Sequence, residues 1–327
     1  MKITMAHGSG GKATSDLIQE IFARQFDNPI LNAMEDSGIV TGAARLAMTT
    51  DSFVVTPLFF PGGDIGKLSI CGTVNDLLAS GATPKYLTCG FIIEEGAEID
   101  QLRQIAQSMA AQAKSAQVML VAGDTKVIEG SGGIYINTAG VGFLESHQTL
   151  GASHCQDGDA VIVSGNLGDH HAAILSARMG IQNDIESDCA CLSQMVQTLL
   201  ANVEIHGMRD ITRGGLATIL NEFATASRCC IELNEERIPV SQQVQGFCDI
   251  LGLDPLVMGN EGKMAFVVAQ QDAQRALQLI RQCEFGKNAA IVGQVSHRET
   301  GAVLAHTTIG GMRLVPPLIG EGLPRIC

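Results

Sequence analysis

The chain has 327 residues, 46% of them apolar, and a formal net charge of −13. Such a length predicts two domains of ordinary size around a sizeable core. The acidic balance, with no basic run, argues against nucleic acid and anionic membrane as main partners. Glycine is abundant at 37 residues, tryptophan is absent and tyrosine occurs twice; this mix suits tight turns and backbone-lined sites rather than an aromatic recognition surface. ATP stays open to such a chain, because backbone amides and metal ions can carry its phosphates. The N-terminus lacks an apolar h-region, so no signal peptide is expected. No apolar run approaches membrane-spanning length, and a cytoplasmic location is expected. The ten cysteines form no C-x-x-C pair. Cys189-x-Cys191 and adjacent Cys229-Cys230 are poor spacings for a metal. The nine internal cysteines therefore read as buried, reduced thiols.

In chain order, Lys2 to Met5 is a short candidate strand. His7-Gly8-Ser9-Gly10-Gly11-Lys12 then opens a helix whose apolar face is Leu17, Ile18, Ile21 and Phe22. A glycine-rich turn at a helix start can offer amide donors to phosphate. This one is neither a Walker loop nor a Rossmann fingerprint, and a flexible connector would look the same. Leu46 to Thr50 reads as a strand running into Asp51-Ser52. Asp64 can cap the next helix, which carries Ile65, Leu68, Val74 and Leu77 and, in mid-pattern, Asn75-Asp76. A polar pair so placed is expected to face solvent unless a ligand holds it. Tyr86 to Ile93 is a strand, and Ile99 to Met109 a helix. Val118 to Ala122 is a strand expected to deliver Gly123, Asp124, Thr125 and Lys126 to its carboxyl end, a common site geometry in α/β sheets. Ile134 to Phe143 is rich in β-branched residues and completes a first domain.

A polar, glycine-bearing segment from Glu145 to Gly158 reads as a linker. Ala160 to Val163 restarts a strand, followed by helices through Ala172 to Met179 and through Leu192 to Leu200. Arg209-Asp210 and Thr212-Arg213-Gly214-Gly215-Leu216 open a helix through Phe223. Strands follow near Ile231, at Met264 to Val268 and at Ala289 to Val295, with a helix from Asp272 to Cys283. Gly259-Asn260-Glu261-Gly262-Lys263 precedes the Met264 strand and, alone, is a turn. The expected fold class is thus α/β (α+β), as two mixed α/β domains over 1–150 and 151–315. Residues 316–327 form a flexible C-terminal tail. Pro316, Pro317 and Pro324 stiffen it, Gly320 and Gly322 can act as joints, and Cys327 ends it. On the tail alone a frayed terminus is the simpler reading.

The set of motifs changes that. His7 to Lys12, Thr50-Asp51-Ser52, Asn75-Asp76 with Gly81-Ala82-Thr83-Pro84, and Gly123 to Val127 come first. Arg209-Asp210, Thr212 to Leu216, Gly259 to Gly262 and the terminal Pro324-Arg325-Ile326-Cys327 follow. Together, and in this order, they resemble the HypE family of hydrogenase maturation proteins, within the superfamily of aminoimidazole ribonucleotide synthetase. The internal motifs are those of the ATP-binding superfamily, and the terminal Pro-Arg-Ile-Cys selects the family. Ser80 departs from the pattern, standing where relatives often carry Met, at a packing position.

The resemblance implies an enzyme, a carbamoyl dehydratase. A carbamoyltransferase, HypF, loads the terminal thiol, and ATP drives dehydration of the carbamoyl group to a thiocyanate on Cys327. The cyano group passes to iron on a HypC–HypD complex for a nickel–iron hydrogenase. It also implies a homodimer paired through N-terminal strands, with ATP in a groove beside the interface. A carboxamide oxygen is a poor leaving group, and phosphoryl transfer would make it phosphate; such transfer needs mainly positioning and charge neutralisation. On this resemblance Asp51, Asp76, Asp124 and Asp210 handle Mg²⁺ or triphosphate, Asp51, Asp76 and Asp124 being the metal ligands. Asn75 and Asn260 are auxiliaries, and Gly10, Gly11 and Lys12 a lid over the phosphates. Elimination needs a base. Glu261 is the best candidate; Lys126 can stabilise the amide oxygen or phosphate, or be the base itself if buried. Arg325 can anchor the tail.

Other readings remain on the sequence. A selenophosphate synthetase would want a Cys or selenocysteine in the N-terminal glycine loop, where this chain has Met5-Ala6-His7-Gly8-Ser9. A thiamine monophosphate kinase would have no use for a terminal Cys. A non-catalytic carbamoyl carrier would need no ATP site.

Overall fold

The computed structural model describes residues 1–35, 37–144, 150–296 and 301–319. The first half folds around a four-stranded sheet in the order β1-β6-β4-β5. The N-terminal segment comes first, with short helices α1 (Lys12–Leu17) and α2 (Pro29–Asn32). Then come β1 (Leu46–Phe53), the small hairpin β2 (Phe59–Phe60) and β3 (Gly63–Asp64), and helix α3 (Ile65–Ala79). The half ends with β4 (Thr83–Glu94), α4 (Ile99–Ser115), β5 (Met119–Ile128) and β6 (Ile134–Phe143). Asp64 caps α3 as expected, its Oδ1 accepting from the N–H groups of Gly66 (2.7 Å) and Lys67 (3.1 Å).

Helices α3 and α4 cover one face of this sheet; the other is open. Register places Leu46, Met48, Thr50 and Ser52 of β1 on the open face, with Asn137 of β6, Ile92 of β4, and Asp124, Lys126 and Ile128 of β5. Met48 is 74% exposed, and Leu46, Ile92 and Ile128 are exposed beside it. The N-terminal segment runs along the free edge of β5. There Asn28 Nδ2 donates to the Leu120 carbonyl at 2.8 Å, and Phe22 stacks on Phe91 at 4.7 Å.

Two local expectations need correction. Lys2 to Met5 makes no strand: Lys2 forms a single antiparallel bridge to Glu98, and Met5–Gly8 is a 3₁₀ turn. Gly123 to Lys126 do not form a turn after a strand. β5 runs on to Ile128, because its parallel ladder to β4 continues from Ala122 through Ile128.

The second half carries a seven-stranded sheet, β13-β12-β9-β11-β7-β10-β8. Its elements are β7 (Ala160–Val163), α5 (Asp169–Met179), α6 (Ser193–Leu200), β8 (Ile205–Asp210), α7 (Gly215–Ser227) and β9 (Cys230–Asn234). They continue with α8 (Gln242–Leu251), β10 (Met264–Val268), α9 (Ala273–Gln282), β11 (Ala290–Ser296), β12 (Ala302–His306) and β13 (Met312–Leu314). The sheet is antiparallel except where β12 runs parallel to β9. The sequence reading lacked α8, β8 and the β12–β13 hairpin.

The halves are not separate in their packing. The largest buried cluster joins Ile70, Phe91 and Leu102 of the first half to Ile162, Met195 and Phe266 of the second. Helix α3 lies between the first sheet and strand β8 at the edge of the second. It is therefore buried on nearly every side, which is why its residues 65–75 include almost no exposed position. Backbone contacts fasten the joint: Ser187 N donates to Pro61 O at 2.8 Å, and Gly62, at φ +89°, leaves no room for a Cβ, which would lie 2.5 Å from Ser187 O.

Candidate functional site

Four acids converge where α3 meets the second sheet. Asp51 is on β1 and turns toward α3, where Gly72 leaves it space: a Cβ there would lie 3.4 Å from Asp51 Oδ2 and 2.9 Å from the Phe53 ring. Asp76 is on α3, and its Oδ2 accepts from Thr49 Oγ1 at 2.8 Å. Asp210 ends β8, and Glu261 lies in the turn before β10. The four share one electrostatic field. Burial raises Asp51, opposed by the Ser52 N–H and reinforced by Asp76. Burial also raises Asp76, against the Thr49 hydroxyl and the charges of Arg209 and Arg213. Burial and then Asp76 push Asp210 up to about 7. Burial, with Asp188, Asp210 and Asp51, drives Glu261 well above the usual carboxylate range. The result is a cluster of four acids against two arginines, in which burial raises the innermost carboxyl, Glu261, well above the usual carboxylate range.

The turn bearing Glu261 is built from outside the sequence motif. Asp188, 2% exposed at its side chain, accepts from Glu261 N at 3.0 Å and Gly262 N at 3.2 Å, and pairs with Lys263 Nζ at 3.1 Å. Burial pushes Asp188 up, but Lys263 and His170, with the Glu261 N–H, hold its carboxyl below the usual range. Gly262 is obligatory here: a Cβ would sit 1.9 Å from Asp188 O.

Asn75 does not face solvent as expected; it is 2% exposed. Its Nδ2 donates to Ala190 O at 2.9 Å and Glu261 O at 3.4 Å, and its Oδ1 accepts from Leu192 N at 3.0 Å. Asn260, 1% exposed, is likewise committed. Its Oδ1 accepts from Gly168 N, and its Nδ2 donates to Ile211 O and Met258 O. Both asparagines position the walls of the site through its backbone.

The remaining residues gather elsewhere. Asp124 and Lys126 lie side by side on the open sheet face, Lys126 Nζ donating to Asp124 Oδ1 at 3.0 Å with both side chains about two-thirds exposed. β5 is three strands from β1, roughly 14 Å at the usual strand spacing. Lys126 and Glu261 thus belong to different groups within one chain. Asp124 and Lys126, with Gly10 and Thr14, line a cavity of about 330 Å³ under the N-terminal segment, otherwise walled by Phe22, Phe26 and other apolar side chains. Gly10, at φ +80°, donates to Thr14 Oγ1 at 3.0 Å, and with Gly11 and Lys12 it is exposed at the rim. Among the described residues, no group of three or more His, Cys, Asp or Glu side chains has metal-binding geometry, so Asp51, Asp76 and Asp124 do not meet as a closed site. Cys327 and Arg325 lie outside the described residues. The preceding segment is fixed: Asn221 Nδ2 donates to Val315 O at 2.8 Å, and Leu318 N to Thr218 Oγ1 at 3.4 Å.

Comparison with known proteins places this arrangement. Residues 34–144 match the AIR synthase related protein N-terminal domain, and residues 156–306 its C-terminal domain. The chain is 46% identical to the carbamoyl dehydratase HypE of Rhodobacter capsulatus, over 100% of this chain and 98% of that protein. The chain belongs to the HypE family. It is also 44% identical to HypE of Escherichia coli K12, over 99% of each chain. A crystal structure of HypE in complex with ATP superposes with a TM-score of 0.95 at 43% identity, covering 99% of both chains. A HypE–HypF complex gives 0.81 at 44% identity, covering 92% of this chain and 99% of the other. Thiamine-monophosphate kinase of Stenotrophomonas maltophilia shares the fold alone, at 0.67 and 19% identity, covering 89% of this chain and 95% of that one.

Of the site, the sequence missed Asp188 and Lys263 as the frame of the Glu261 turn, and Arg209 and Arg213 as the cations of the cluster. Lys263 adjoins a motif and was a legible signal. Asp188 lies in an unpatterned stretch and gives none.

Proposed function

We propose that the chain is an ATP-dependent carbamoyl dehydratase that converts an S-carbamoyl group on Cys327 to a thiocyanate, the source of cyanide ligands for hydrogenase iron. The observation that carries the reading is the convergence of Asp51, Asp76, Asp210 and Glu261 at one joint, in a chain alike over its whole length to carbamoyl dehydratases. In the reaction the carboxamide oxygen attacks the γ-phosphorus of ATP, ADP leaves, and the nitrogen gives up one proton. Loss of the second N–H proton and departure of phosphate then form the C≡N bond. Glu261 is the base for these protons, its burial making its carboxylate a stronger base than an exposed one. Lys126, exposed and beside Asp124, supplies positive charge to phosphate oxygens. The cavity under Gly10, Gly11 and Lys12 accommodates nucleotide, its apolar wall suiting a base and its glycines a phosphate chain.

Mg²⁺ fits part of the donor set: Asp51 and Asp76 would be its oxygen ligands in a field of excess negative charge, whereas Asp124, three strands away, does not join them. Phosphate oxygens and waters would complete a shell that the protein leaves open. When bound, the ion offsets phosphate charge. The exposed apolar residues Leu46, Met48, Ile92 and Ile128 support a homodimer through the open sheet face. Residues 1–150 form the nucleotide-binding and dimerising half, 151–315 the second α/β domain, and 316–327 the carrier tail. The eight residues from Gly320 to Cys327 reach at most roughly 28 Å. That reach lets Cys327 alternate between this site and outside partners, HypF for loading and HypC–HypD for delivery. The protein works in the cytoplasm.

The test is intact mass after incubation with HypF, carbamoyl phosphate and ATP, beside a Cys327→Ala control. A carbamoyl gain that loses the mass of one water only with hydrolysable MgATP is expected. A gain that never loses water would make the chain a carrier and remove the roles of Glu261 and Lys126.

A further inference from the structure

Three cysteines separated in sequence meet at the joint beside the acid cluster. Cys71 is on α3, one turn before Asn75, and is fully buried. Cys189 and Cys191 flank Ala190, whose carbonyl accepts from Asn75. Cys191 Sγ lies 3.6 Å from Cys71 Sγ, and Cys189 is near enough to Cys71 to raise its thiol. All three are free thiols, Cys71 and Cys189 buried and Cys191 partly exposed. They lack metal-binding geometry, and the dehydration has no use for them. What remains for such a cluster is sulfur redox chemistry, entered through the thiol that solvent reaches.

We propose that Cys71 and Cys191 form a reversible disulfide latch between the two halves of the chain. A peroxide is the oxidant. The Cys191 sulfur attacks one peroxide oxygen, the O–O bond breaks, and a sulfenic acid and one water result. The Cys71 sulfur then attacks the Cys191 sulfur, the S–O bond breaks, and the thiol proton leaves with the hydroxyl as a second water. Two sulfurs have given two electrons to one peroxide, and a dithiol reverses the step by exchange. The sulfurs must close from 3.6 Å to about 2.05 Å. The bond would join residues 120 apart in sequence. It would add a covalent link where Asn75 already ties α3 to Ala190 and Leu192, and so fix the helix of Asp76 against the turn of Glu261. Cys189, the buried third thiol, packs against the pair without being the entry point.

The test uses the full chain with Cys327→Ala, so that the terminal thiol adds nothing. After hydrogen peroxide, non-reducing peptide mapping should find one Cys71–Cys191 pair lighter by two hydrogens. The pair should vanish with dithiothreitol and persist in Cys189→Ser. It should be absent in Cys191→Ser. Amide exchange over residues 189–192 should slow by about tenfold in the oxidised chain. If Cys71 and Cys191 both stay alkylatable after peroxide, or the bond maps to Cys189, the latch does not exist. Mapping of the Cys327→Ala chain alone decides this even if a further substitution fails to fold.

Discussion

Asp188→Asn should be among the most damaging single-atom changes in the chain. Asp188 and Lys263 are 2% and 9% exposed at their side chains and 3.1 Å apart. At an effective dielectric of about 20, that pair is worth roughly 5 kcal/mol of attraction. The two N–H bonds from Glu261 and Gly262 to the carboxylate add about 1.5–3 kcal/mol each. Against this stands the cost of burying two ions, several kcal/mol apiece. Removing one partner forfeits the attraction and keeps the other ion's burial cost, so the net loss should be about 3–5 kcal/mol. Urea unfolding, by circular dichroism, measures it. The pairing predicts more: Asp188→Asn with Lys263→Met removes both charges and should recover most of the loss. Since burial is outweighed and the Asp188 carboxyl sits below its usual range, its stabilisation is present above the unfolded value near pH 4 and fades as pH falls through the folded one. A single mutant costing under about 1 kcal/mol, or a double mutant as unstable as the two singles summed, would refute the reasoning.

Other outcomes are as definite. Gly262→Ala would press a Cβ against the Asp188 carbonyl; a loss of about 3 kcal/mol, in the same unfolding assay, and of dehydration is expected. Lys126→Gln should leave stability within about 0.5 kcal/mol, because the side chain is exposed, while water loss read by intact mass slows by about 10² or more. Asp210, pushed up to about 7 by burial and Asp76, holds a proton that the unfolded chain has lost. Its contribution is full below about pH 4 and is lost as pH rises through about 7. Unfolding free energies from pH 4 to 8 should therefore fall less steeply in Asp210→Asn; an unchanged slope would contradict the cluster. Chelation of Mg²⁺ should stop water loss without removing the carbamoyl group.

Much of the fold was legible because its signals are local. Asp64 before an apolar helix reads as a cap, and β6 and β10 stand out as β-branched or continuous apolar runs. Asp51, Asp76, Asp210 and Glu261 were picked out from four motifs far apart in sequence, and the fold brings them to one joint. What stayed hidden depends on tertiary contact. Nothing around Asn75 announces burial, because the groups that satisfy it are carbonyls and an amide 115 to 186 residues away. The extension of β5 through Lys126 follows from the β4 ladder rather than from its own composition. Cys189-x-Cys191 looked inert because its third member, Cys71, enters from another half of the chain.

The buried cluster that runs from Ile70 and Phe91 into Met195 and Phe266 makes the two halves mutual scaffolds. Severed at the segment between the sheets, each would present to water the apolar surface now pressed on the other. Heating should accordingly melt them as a single cooperative unit. Chimaeras that join a first half from one relative to a second half from another should fold only when the residues around α3 are exchanged with them. Natural variation at this seam should be concerted, a change on α3 answered on α6 or β10, so that the joint holding the acids keeps its shape while the outer surfaces drift.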